Sequence, residues 1–309
     1  MENPADRQQK DIVQHCGRAY KENFIDTKIR YRIEFFADSS FDIVKDNQKS
    51  EDVISISQNT INEIEIAFTP LELKHLAGIG KFPDIHKQDR PQAVYEKMLG
   101  IHRNGDILTL QDISESDFFF DDTDRTQNEE TVDMTDEEFQ KTIEAERLAN
   151  RRILKSDFIG RLNTLENLNS IIQQSKPEKS DATNPLELKI YFWDKTKLRT
   201  ERPYDSKINA DFLIEIYNRN NSEKPYTQFF IVIDKENNTY KGMSTFSSEH
   251  SYARDEKGRQ ATKIIALSIE KTELGQEKTV IYADDKTISQ CRKEPESMRK
   301  IFRKKQKRI

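Results

Sequence analysis

The strongest pattern in the chain is a change of period. From Thr135 to about Gln174 apolar positions recur at helical spacing; beyond it the chain reads as a succession of strands. Residues 6–26 read as a helix through Ile12, Val13, Ala19 and Tyr20, with Gly17 an interruption. Lys28–Phe36 alternates basic and apolar residues as a strand, and Phe41–Val44 is placed to pair with it. Ile61–Ala67 alternates with acidic partners as a further strand. Thr69 then precedes Pro70, an N-cap followed by a first-turn proline, so a short helix carries Leu71, Leu73, Lys74, His75 and Leu76 before Gly78 ends it. Residues 89–100 read as a helix capped by Asp89, and 107–110 as a short extended piece. Thr135–Glu138 has the form of a capping box, followed by a broken apolar stripe to about Gln174 with Gly160 as a kink. Residues 175–185, containing Pro177 and Pro185, form a linker. Strands follow at Leu186–Trp193, Phe212–Tyr217, Gln228–Ile233, Tyr240–Phe246 and Lys263–Glu270, with a hairpin turn over Asp234–Asn238.

Helices followed by an antiparallel sheet predict an α+β fold. The segments divide into an N-terminal helix and strands (1–55), the first half of a core (56–111), an acidic loop and long helical insert (112–175), a sheet half (186–285) and a basic tail (286–309). At 309 residues this is room for one large domain or two ordinary ones.

Charge changes the picture by its distribution. Charged and hydrophobic residues each make up 34% of the chain, and the net charge is −5. Residues 112–138 hold twelve acidic residues and one arginine, a local charge of −11, which leaves +6 on the rest. Seven of the last eleven residues are Lys or Arg. A basic body with an acidic insert fits a nucleic-acid partner, and equally a solvated loop and helix end. No apolar run reaches the roughly 18 residues of a membrane helix, and the N-terminus lacks the form of a secretory signal. Cys16 and Cys291 lack metal-ligand spacing; one long-range disulfide is open to them, but a reduced, cytoplasmic setting fits better. The five histidines offer no paired helix face, so no metal and no cofactor are expected.

The sequence lacks a phosphate-cradling loop, a paired-histidine helix and a nucleophile elbow. What is left is acid–base chemistry on RNA, in which the substrate's own 2′-hydroxyl attacks. His75 can serve as base or acid. Lys74, Lys263, Arg254 or Arg259 can hold the phosphate, Thr262 or Tyr252 can donate to a nonbridging oxygen, and Tyr252 can alternatively stack on a base. His250 adds a further polar group to the downstream set. For each there is a plain structural alternative: His75 as a helix C-cap and 250–259 as a solvated hairpin tip.

The block Lys74–Ile79 resembles the His-Leu-Thr-Gly signature of a phage-associated nuclease family grouped with barnase, EndoU, the tRNA-cleaving colicins and RelE toxins. The resemblance runs over roughly 55–272 with a large gap, and Ala77 stands where the family has Thr. It implies a barnase/RelE-like core and metal-independent RNA cleavage of toxin or mobile-element type, leaving a 2′,3′-cyclic phosphate. It places His75, with Tyr252, Thr262 and Lys263, at the site, and an antitoxin or immunity protein among the partners. The departure at Ala77 motivates the alternative, a nucleic-acid-binding or protein-interaction module without catalysis.

Overall fold

The strand Arg30–Phe36 (β1) shows how the architecture is set. Its alternation sends Tyr31, Ile33 and Phe35 into the main apolar core and Arg30, Arg32 and Glu34 outward. On the outer side Arg30 pairs with Glu65 at 2.6 Å and Arg32 with Glu63, both on the neighbouring strand Ile61–Ala67 (β4). A one-residue slip would bury these charges, so the register is fixed.

The computed structural model describes residues 4–37, 40–44, 53–56, 60–79, 82, 89–115, 158–177, 184–193, 210–234, 239–246, 251–254 and 261–293. The helix Pro4–Tyr20 (α1) runs on into a wider turn, Lys21–Ile25. Phe41–Val44 (β2) pairs with Val53–Ile56 (β3) as a separate two-stranded ribbon, not with β1 as the sequence suggested. After β4 come the turn Pro70–Glu72, the four-residue helix Leu73–Leu76 (α2), then Pro91–Leu99 (α3) and Leu110–Glu115 (α4). A helix over 158–174 (α5) leads into Ser175–Pro177 (β5), Leu186–Trp193 (β6), Phe212–Asn218 (β7), Asn221–Asp234 (β8), Thr239–Phe246 (β9), Ala261–Thr272 (β10), Thr279–Ala283 (β11) and Asp285–Lys293 (α6).

Seven of these strands close into a mixed barrel in the order β10-β1-β4-β9-β8-β7-β6 and back to β10. The expected succession of helices and then an antiparallel sheet on a barnase/RelE-like core is therefore wrong. The N-terminal strands β1 and β4 are not a prelude to the sheet; they are staves of it, set between β10 and β9. Six of the seven pairings in the ring are antiparallel, and β4–β9 is parallel.

Two seams of the ring are incomplete, and each is filled. β10 pairs with β6 over 261–264 and then with β11 over 268–271, while the start of β6 pairs with β5. Thus β5 and β11 occupy the fork where β6 and β10 diverge, and Lys176 on β5 donates to the Ile281 carbonyl on β11. At the other seam β4 and β9 share one bridge, Ile66 with Tyr240. Beyond it β9 meets helices instead: a Cβ on Gly242 would lie 2.7 Å from Leu76 of α2, and Arg161 of α5 donates to Ser244 Oγ at 3.1 Å.

The helices share the barrel's core. Val13, Cys16, Tyr20 and Phe24, with Leu162, Leu165 and Leu168, join Ile33, Phe212 and Ile231 in one apolar cluster. Gly17 belongs to this packing: a Cβ there would stand 2.8 Å from the Met98 carbonyl oxygen, so α1 crosses α3 at a distance that excludes a side chain. Burial raises the Cys16 thiol pKa, so this cysteine is a core residue.

Three local expectations are also corrected. Arg90, not Asp89, holds the N-cap position of α3, and Asp89 instead accepts from Lys97 at 2.9 Å. Leu110 opens a helix rather than ending a strand, because Thr109 and Asp112 exchange backbone-to-side-chain hydrogen bonds. Ser175–Pro177 is a strand within the supposed linker. The acidic Phe118–Phe120 segment, residues 135–157, His86 and residues 294–309 of the basic tail lie outside the described residues, while 285–293 form α6. Among the described residues no helix is long and apolar enough to cross a membrane.

Candidate functional site

A helix of four residues cannot hold itself, since nucleation costs more than one turn of hydrogen bonds returns. α2 is held by three ionisable side chains, all almost fully buried: Glu72 just before it, Lys74 within it and Arg161 of α5. Glu72 is 4% exposed and closes a capping box: the Thr69 N–H donates to its Oε2 at 3.2 Å and Thr69 Oγ1 to its Oε1 at 3.0 Å. Tyr20 of α1 donates to the Thr69 carbonyl at 3.0 Å. Lys74 is 3% exposed, and its Nζ donates to the Asp89 carbonyl at 2.8 Å. Arg161 is 6% exposed and lies across the turn that ends α2. That turn depends on Gly78, whose φ of +74° suits glycine and whose missing Cβ would stand 2.9 Å from Arg161 Cδ.

Burial dominates the electrostatics here. It raises the Glu72 carboxyl to about 7, against the opposing hydrogen bonds from Thr69 and the charge of Lys241. Burial also lowers the Lys74 ammonium, with Asp89 opposing. Against this background His75 is exposed, while Leu73, Lys74, Leu76 and Ala77 on either side are buried. Ala77 belongs to the main core, so a threonine hydroxyl at this position would face hydrocarbon rather than a phosphate.

The downstream residues lie on the other side of the barrel wall. Leu76 packs near Phe229, which points inward, whereas Tyr252 packs on Phe230, which points outward. Tyr252 contacts Phe230 and Trp193 with ring centroids 5.6 and 6.5 Å apart, so its ring is committed to an apolar cluster. Thr262 is paired with Phe192 on the inward parity of β10, and Lys263 with Tyr191 on the outward parity, exposed. The structure thus groups Tyr252 and Lys263 on the outer face and sets the α2 turn against the inner one. His250, Arg259 and the Arg254 side chain lie outside the described residues.

Two sets of residues were missed from sequence. Glu72, Arg161 and Ser244 surround the α2 turn; the Thr69-x-x-Glu72 spacing is a capping-box signature that was readable. On the outer face Glu215 is fully buried and accepts from Tyr217 Oη at 2.6 Å and from Ser251 Oγ at 2.8 Å. Its signal is a lone carboxylate in the otherwise apolar Phe212–Tyr217. Among the described residues no group of His, Cys, Asp and Glu is arranged to hold a metal ion.

Compared with known proteins, the chain matches no protein family, no curated protein and no solved structure. The functional reading therefore rests on the residues themselves.

Proposed function

We propose that the chain acts on RNA through His75, as a metal-independent endoribonuclease-like protein. One observation carries this reading: Glu72 and Lys74 of the segment itself, bonded to Thr69 and to the Asp89 carbonyl, and Arg161 of α5 are all buried around a turn that presents an accessible imidazole. Burying such groups is costly unless they are hydrogen-bonded, and the bonds to Thr69, the Asp89 carbonyl and Ser244 tie these three to their surroundings; a rigid mount is what an acid–base group requires. In the reaction the 2′-oxygen attacks phosphorus while His75 takes its proton. The bond to the 5′-oxygen breaks, that oxygen takes a proton from water, and a 2′,3′-cyclic phosphate remains. The test is cleavage of RNA in EDTA by wild type and by His75→Ala. Activity in the wild type and its loss in the variant are expected. Equal activity in both removes His75 from the mechanism, and loss on chelation points to a metal enzyme.

A second reading, binding of nucleic acid without turnover, is favoured by the separation of Tyr252 and Lys263 from the α2 turn across the barrel wall. It expects salt-dependent RNA affinity with no product after long incubation.

A further inference from the structure

The outer face of β6, β7 and β8 carries a covering segment that the proposed chemistry does not use. Residues 251–254 lie over it and are anchored at three successive positions. Ser251 Oγ donates to both oxygens of Glu215, at 2.8 and 2.9 Å. The Tyr252 N–H donates to Gln228 Oε1 at 3.0 Å, and the Ala253 N–H to Glu215 Oε1 at 3.4 Å. Glu215 and Gln228 are cross-strand neighbours on β7 and β8, and both are fully buried. Beneath the Tyr252 ring, Trp193 and Phe230 meet edge to face at 5.4 Å; Trp193 is 1% exposed.

We infer that residues 251–254 are a strap, latched by Glu215, whose release bares the Trp193–Phe230 surface while the barrel stays folded. Glu215 bonds to the Tyr217 and Ser251 hydroxyls and accepts from the Ala253 N–H. Two of those partners come with the strap. When it lifts, water takes their place, and the exchange of one hydrogen bond for another is close to neutral. The Tyr252 ring, on the two aromatic residues below, and Ala253 add apolar contact to the closed state. A negative charge added at Ser251 would put an acceptor-only group where a hydroxyl now bonds both oxygens of the buried Glu215 carboxyl group, and would release the latch.

The chain has one tryptophan, so its emission reports this surface without interference. The test compares the full-length wild type with Ser251→Asp by emission wavelength and acrylamide quenching, with far-ultraviolet circular dichroism as the check on folding. The wild type should emit at short wavelength and resist quenching. The variant should shift to the red and quench roughly threefold more readily at unchanged secondary structure, a local opening. A folded variant with Trp193 still protected overturns the proposal. If the variant does not fold, hydrogen exchange in the wild type decides. Tyr252 and Ala253 amides exchanging at least about tenfold faster than those of Trp193 and Ile233 support the strap, and equal rates overturn it. Neither measurement involves RNA, so the outcome is independent of the proposed cleavage.

Discussion

The α2 turn and the 251–254 strap both rest on a buried carboxylate, and they use it to opposite ends. At the turn, Glu72 joins Lys74 and Arg161 in fixing a short helix so that one polar side chain, His75, faces solvent. On the strap, Glu215 gathers its donors inward, and Tyr252 is turned down onto Trp193 and Phe230. The first arrangement exposes an imidazole on a buried base; the second hides a surface under a cover. A polar cluster near an aromatic residue thus does not by itself mark a site. What separates the two is which side chain is left facing water.

The largest expected difference is in activity. His75→Ala should lower cleavage by about 10²-fold or more, the usual weight of a positioned acid–base group, with stability little changed. Tyr252→Phe keeps the ring on its two neighbours and should leave cleavage within about twofold, since sites that share no contacts act independently. Initial rates on a structured RNA in EDTA check both. A larger loss from Tyr252→Phe than from His75→Ala would reverse the assignment of the two regions.

Next is the backbone of the turn. Gly78→Ala combines a left-handed backbone with a Cβ driven into Arg161, and should destabilise by roughly 2–4 kcal/mol. Gly105, at φ +77° with nothing within 4 Å of a Cβ, isolates the backbone part: Gly105→Ala should cost about 1–2 kcal/mol. Denaturant melts of the two variants separate conformational strain from the clash with the buried guanidinium. Equal losses would mean that Arg161 yields freely and does not clamp the turn.

A third test uses pH. Glu72 is raised from 4.5 to about 7, so between those values the folded chain holds a proton that the unfolded chain releases. The contribution is fully present below about pH 4.5 and is lost as pH rises through about 7. Its upper bound is roughly 3 kcal/mol, at about 1.36 kcal/mol for each pH unit between the two values. Glu72→Gln should flatten the stability profile across this window. An unchanged slope would show that the capping box is not where the proton is held.

Much of the turn was legible from the chain. Thr69 before Pro70, and Gly78 after Leu76, mark the start and stop of a short helix by local chemistry alone, and the structure places both as read. Strands were legible for the same kind of reason: alternation in Arg30–Phe36 depends only on which face is buried, and Leu186–Trp193 is rich in β-forming residues. Strand partners were not legible. An alternating strand satisfies any neighbour that offers an apolar face, so nothing local in β1 shows that it lies between β4 and β10. The residues clamping the turn were hidden likewise. Arg161 lies 83 residues from Ser244, and its position in an apolar stripe reads as a break in the pattern rather than as a buried cation.

The smallest expected effect is at Lys263, and it bears most directly on the comparison. Lys263 sits on the outward parity of β10 beside Tyr191, exposed, across the barrel wall from the packing of α2. If the outer face takes no part in the chemistry, Lys263→Ala should change stability by no more than about 0.5 kcal/mol, as for surface charges generally. It should also leave the cleavage rate within about twofold, for the reason that holds for Tyr252. Binding is the more sensitive readout. Removing one phosphate-neutralising cation from an RNA-binding face would lower the slope of log affinity against log salt by roughly 0.7, the single-strand value per neutralised phosphate. A titration across salt concentrations with the wild type and Lys263→Ala therefore distinguishes three cases. Unchanged slope and unchanged rate leave the outer face as a cover. A lower slope at an unchanged rate makes it a binding surface that serves a site elsewhere. A lower rate returns Lys263 to the mechanism and requires RNA to reach both sides of the wall.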